Sequence, residues 1–181
     1  MSIRFVFVVA MLSTAAFDRA AIIIDRHVDV NATVLVNVTS MPDDVLAVGS
    51  PYKTCGIYPV ALAKCGADYD IAITINSKHR PSVATIIHEV FHGLGFILGD
   101  SAYNRLNKNG YIGFVKTDGA HLANKHSIMN KYVNHGTVPD TEMLYVLERI
   151  GYSVTYSSAA ARSLSLVSLV LIKSMEYIVT I

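Results

Sequence analysis

Three side chains pose the chemical question. His88, Glu89 and His92 stand in the run IIHEVFHGLGF, residues 86–96. Histidines four residues apart share one face of a helix, so both imidazoles can reach a single metal ion at about 2.0–2.1 Å, the zinc–nitrogen distance. Glu89 is offset from both, placed to take a proton from a water at the metal rather than to bind the metal itself. The competing reading is a helix with two solvated histidines and an unrelated glutamate. Against it, the motif lies in a strongly amphipathic segment and runs directly into G-x-G.

A catalytic zinc takes three protein ligands and leaves a fourth position for water. The position six residues after His92, where an extended motif of this kind often carries its third ligand, is Leu98 and cannot bind a metal. No glutamate lies between Gly93 and Asp140, so the open candidates are Asp100, Asp118, His121, His126, His135 and Asp140.

The elements that must position these groups can be read in outline. Pro81 and Ser82 are suited to start a helix, with Ser82 as its cap. Val83, Ile86, Ile87, Val90, Phe91 and Leu94 then recur at helical spacing, and His88 and His92 are rotated away from that stripe. Gly93 and Gly95 end the helix and allow a sharp change of direction. Upstream, YDIAITIN (69–76) alternates as a half-buried strand with Ile71, Ile73 and Ile75 on one face. Residues 21–39 read as one or two strands. Residues 41–66, rich in Pro and Gly, read as loops and short elements, and 99–127 as a loop-rich segment. TEMLYVLERI (141–150) reads as a second helix capped by Asp140 and closed by Gly151.

The chain's 181 residues suffice for one modest domain. A net charge of +1 points to neither a nucleic-acid nor an acidic partner, and none is expected; the mean hydropathy of +0.40 owes much to the two ends. Residues 1–16 have the layout of a secretory signal: Arg4, an apolar run from Phe5 to Leu12, then small residues with a cut expected before Phe17. The alternative is a buried first strand, because RFVFVV is rich in β-formers. Asn31 and Asn37 head N-glycosylation triplets. Cys55 and Cys65 are the only cysteines, and in an oxidising compartment they pair across a short loop; one of them as an inhibitory metal ligand in a precursor is the other option.

HEVFHGLGF resembles the metzincin metallopeptidases, which share a glycine three residues after the second histidine, here Gly95. More narrowly, HGLGF is similar to the leishmanolysin branch, in which an insertion separates that glycine from the third histidine. SIMN, residues 127–130, resembles the metzincin methionine turn. Counting back eight residues from Met129 reaches His121, a spacing similar to that in matrix-type metzincins. The resemblance therefore implies His88, His92 and His121 as ligands of one catalytic Zn2+, Glu89 as general base, and Met129 as a non-ligating floor. It implies that the strand at 71–76 forms the upper edge of the cleft and pairs with an extended substrate. It covers about residues 65–152 and departs from leishmanolysin in its shorter insertion, its shorter histidine-to-methionine spacing and its lack of a cysteine-rich C-terminal region. Tyr132 stands three residues after Met129 rather than two, and packing beneath the site is the role expected of it.

The apolar tail, residues 157–181, resembles a glycosylphosphatidylinositol-anchor signal, with a membrane tail or a packed helix as alternatives. The expectation is thus an α+β, metzincin-like catalytic domain over residues 17–156. It has a twisted mixed sheet, an active-site helix above the cleft and a closing C-terminal helix. The expected function is a secreted zinc-dependent endopeptidase acting on protein or peptide substrates, with membrane contact only through the tail. The rival is a zinc-stabilised secreted or surface binding protein without turnover.

Overall fold

The computed structural model describes residues 2–8, 14–52, 69–97, 102–132 and 138–156. It is mixed α and β, built on a four-stranded mixed sheet. The strands are β1 (Ile3–Phe7), β3 (Ala32–Thr39), β5 (Ile71–Asn76) and β4 (Ala47–Pro51), in that spatial order. The first three are mutually parallel, and β4 runs antiparallel to β5 at the sheet's edge.

Helices α1 (Ala15–His27) and α2 (Val83–Leu94) pack against each other, α1 also on β1 and α2 also on β4 and β5. Alternation in β5 turns Ile71, Ile73 and Ile75 into the core, beside Val34 and Val36 of β3. The described residues from 102 to 150 add further short elements. These are α3 (Ala102–Leu106), a meander of β6 (Tyr111–Ile112), β7 (Val115–Asp118) and β8 (His121–Leu122), and α4 (Thr141–Ile150). Strand β9 (Ser153–Val154) returns to pair with β2 (Val28–Asp29), which ties the end of the described chain to the end of α1.

Several sequence expectations need correction. Residues 21–27 are helix rather than strand: Phe17, Ala20 and Ile24 are buried at helical spacing, and this packing overrides the β-propensity of the isoleucine triplet. Gly93 does not end α2 but lies inside it. A Cβ there would stand 2.3 Å from the Ile71 side chain, so the helix can approach β5 only with glycine at this position. The 99–127 segment contains a short helix and three strands of two to four residues, too short to carry a readable period.

Residues 3–7, inside the segment expected to leave as a signal, form a sheet strand. Ile3 is buried, and Phe5 and Phe7 meet Phe17 edge-on at ring distances of 5.1 and 4.9 Å. Residues 4–7 thus form a strand, as in the alternative reading, but they alternate between exposed and half-buried, and only Ile3 of β1 is buried. Asn31 is exposed beside β3, whereas Asn37 lies within β3 and is register-paired with Thr74 of β5. Cys55, Cys65 and the 157–181 tail lie outside the described residues. No helix among the described residues is long and apolar enough to cross a membrane.

Candidate metal centre

The site is built from α2 outward. Ser82 caps this helix, its side-chain oxygen accepting from the Thr85 N–H at 3.0 Å, so the helix starts where the sequence places it. His88 and His92 follow one turn apart and emerge on the face opposite the apolar stripe. At the far end Gly95, at φ +135°, reverses the chain so that the Phe96 carbonyl folds back over the last turn. That carbonyl accepts a hydrogen bond from His92 Nδ1 at 2.6 Å.

His88 Nδ1 donates to the Ile128 carbonyl at 2.7 Å, across forty residues of sequence. A carbonyl only accepts, so both imidazoles carry their proton on Nδ1 and turn the Nε2 lone pair into the cleft. The two Nε2 atoms stand 2.9 Å apart. Two nitrogens on one tetrahedral zinc are about 3.3 Å apart, so the separation is close to that of a ligand pair. Facing lone pairs at this distance repel, and a cation between them removes the repulsion.

His121, at the start of β8, completes the group. The ligand nitrogens of His88, His92 and His121 all lie within 4.8 Å of one another, close enough to hold one metal ion. The His121 ring lies 5.3 Å from that of His88 and 4.8 Å from that of His92. Two contacts place it. The Tyr103 hydroxyl, on α3, donates to the Gly119 and His121 carbonyls at 2.9 and 3.2 Å. The Leu122 N–H donates to the Met129 carbonyl at 2.8 Å and ties β8 to the following turn. The turn at 127–130 therefore touches two of the three histidines' supports, and Met129 itself is fully buried.

Electrostatics favour neutral ligands. Burial lowers the His88 pKa to about 4, against the opposing effect of its bond to the Ile128 carbonyl. Burial lowers His92 further, to about 3, with the neighbouring His88 adding to the effect. His121 is also lowered by burial, while Asp118 pulls it up and Lys131 pushes it down. Burial raises Glu89 to about 7, opposed by a hydrogen bond from the Gly49 backbone. A carboxyl poised near neutrality beside three neutral imidazoles suits proton transfer.

A cleft of about 520 Å³ passes over these groups. Residues 44–49 line one side, α2 supplies His88, Glu89 and His92, and the opposite side carries His121, Ile128 and Lys131. The strand beside the cleft is β4, not β5. Strand β5 is hydrogen-bonded on both sides, to β3 and to β4, and has no free edge to offer a substrate. Strand β4 was hidden in the sequence because AVGSP, with its Gly and Pro, reads as loop. Its Gly49 is required: a Cβ there would sit 2.1 Å from the Glu89 carbonyl oxygen. The 41–46 approach to β4 is held by buried Asn76, whose Nδ2 donates to the Pro42 and Val45 carbonyls at 3.0 and 2.8 Å.

The other candidate ligands are elsewhere. Asp118 pairs with Lys131 at 3.0 Å, and His126 is exposed. Asp140 caps α4, accepting from the Met143 N–H at 3.0 Å. Asp100 and His135 lie outside the described residues. Tyr132 does not pack beneath the site: it is 71% exposed, with its ring against the Lys131 ammonium. The sequence carries no local signal for the roles of Gly49 and Tyr103, because each depends on a partner far along the chain. No protein-family model matches this chain, and neither a curated protein nor a solved structure matches it.

Proposed function

We propose that the chain is a zinc-dependent endopeptidase of metzincin type, with His88, His92 and His121 holding the metal. The observation that carries this reading is the convergence of the three imidazoles, two with their tautomer locked by a carbonyl, beside one buried carboxyl in an open cleft. Three neutral imidazoles suit zinc, and the cluster offers three ligands rather than the four of a closed structural site. Bound there, the metal supplies Lewis acidity and acidifies water to a pKa of about 7.

Glu89 accepts the proton of the attacking water at its carboxylate, holds it, and returns it to the leaving amine. The Gly49 N–H orients that carboxylate and favours its charged form. The edge of β4 that faces away from β5 offers backbone groups to an extended peptide, which binds by adding a strand. Secretion, expected from the leader-like start, carries a structural cost in this reading. Cleavage before Phe17 would remove β1 and leave β3 as the sheet's edge.

The test is metal analysis of the purified chain together with cleavage of an unfolded polypeptide, for wild type and Glu89→Gln. The expected result is one zinc per chain in both and a rate about 10²–10⁴-fold lower in the variant. Zinc without cleavage by wild type would favour the binding-protein alternative, and equal rates in the two proteins would end the peptidase reading.

A further inference from the structure

We propose that Asp140 is a positioning residue for the metal centre, acting on His88 through the Ser127 hydroxyl and the peptide group that joins Ile128 to Met129. The proposal rests on the metal-centre reading and adds to it a carboxylate that does not touch the metal.

The chain of contacts is continuous. One carboxylate oxygen of Asp140, Oδ1, is used by the cap of α4. The other, Oδ2, accepts from the Ser127 hydroxyl at 2.6 Å and from the Ile128 N–H at 3.3 Å. The first is the short distance of a hydrogen bond to a charged acceptor. Ser127 is fully buried, so its hydroxyl needs a partner within the protein. The Ser127 oxygen in turn accepts the Met129 N–H at 3.1 Å. That N–H and the Ile128 carbonyl belong to one planar peptide group. The carbonyl side of the group accepts from His88 Nδ1.

The peptide is therefore held at both ends, and its plane aims His88. Each bond also polarises the next in the same direction, from carboxylate to hydroxyl to amide to imidazole. A histidine ligand whose outer nitrogen donates to a carboxylate is a more basic and better oriented ligand, and here the carboxylate acts at two removes. His92 is an internal contrast, because its carbonyl partner belongs to Phe96 at the end of its own helix.

A cap of α4 alone would need only one oxygen, and Asn caps as well as Asp. This separates the two roles. Ser127→Ala, Asp140→Asn and, as a control, Met143→Ala are compared with wild type. Met143 is buried in α4 and takes no part in the relay through its side chain. Zinc dissociation constants are read by competition with a chromogenic chelator. The His88 Nδ1–H proton resonance is read in metal-free protein. Ser127→Ala should weaken zinc about 10–100-fold, the range for losing an outer partner, and move the His88 resonance. Asp140→Asn should keep α4 and the melting temperature while losing part of that affinity. Met143→Ala should lower the melting temperature and leave zinc affinity unchanged. Wild-type affinity in Ser127→Ala, or an equal loss in Met143→Ala, would overturn the proposal. A wild type that binds no zinc, but whose His88 resonance still moves on Ser127→Ala, would instead remove the metal reading and retain the relay.

Discussion

Replacing Gly49 by alanine tests how closely β4 must approach helix α2. The added Cβ would stand 2.1 Å from the Glu89 carbonyl oxygen, 2.6 Å from its carbonyl carbon and 2.7 Å from its Cα. Ordinary contact begins near 3.4 Å, so strand and helix backbones must part by about 1.3 Å along the shortest contact. All three contacts are backbone, so no side-chain rotation relieves them. Overpacking of this kind costs about 1–3 kcal/mol. For a folded unit of this size that lowers the melting temperature by about 2–12 °C. The same movement carries the Gly49 N–H away from the Glu89 carboxylate and shifts the edge on which a peptide would lie. A misplacement of about 1 Å can cost on the order of 10²-fold in rate. None of the three histidines is on β4, so zinc affinity should stay within a few-fold of wild type, less than the ~10–100-fold loss of an outer ligand partner. Thermal melts, chelator competition and peptide-cleavage rates measure the three effects separately. A Gly49→Ala protein with wild-type melting and wild-type rate would refute the close approach and the role assigned to it.

Three further outcomes follow from the site. His121→Ala should lose more zinc affinity than the ~10–100-fold typical of an outer partner, while Asp118→Ala and His126→Ala keep it; retention by His121→Ala in a chelator titration would mean another third ligand. Tyr103→Phe leaves the Gly119 and His121 carbonyls without their hydroxyl donor, costing about 1–3 kcal/mol in urea unfolding and weakening zinc binding through His121. In metal-free protein Glu89 is raised from 4.5 to about 7, so it stabilises the fold below pH 4.5 and that contribution is lost as pH rises through 7. Glu89→Gln should therefore gain on wild type by about 3 kcal/mol between pH 4.5 and 7.5, and a gap independent of pH would contradict the burial of the carboxyl. His88 and His92 act in the opposite direction, destabilising both proteins as pH falls from 6.5 towards 4, and cancel in this comparison.

The features legible in the sequence are those that neighbouring residues decide. Helix α2 was legible because its cap, its apolar stripe and its two histidines all follow a 3.6-residue period within one segment. Helix α4 was legible from Asp140 and Gly151 at its ends, and β5 from strict alternation. The nomination of His121 needed a family resemblance, since Asp118 and His126 fit the local sequence equally well. Which strand borders the cleft emerged from the packing alone, because edge and centre differ in their partners and not in their own residues. Packing alone placed β1 in the sheet and made 15–27 a helix, where it outweighed propensity. It alone drew Gly49 against Glu89, Tyr103 under His121 and the Ile128 carbonyl onto His88. Each of those contacts joins residues far apart in the chain, and a single glycine, tyrosine or carbonyl has no periodicity by which sequence could announce it.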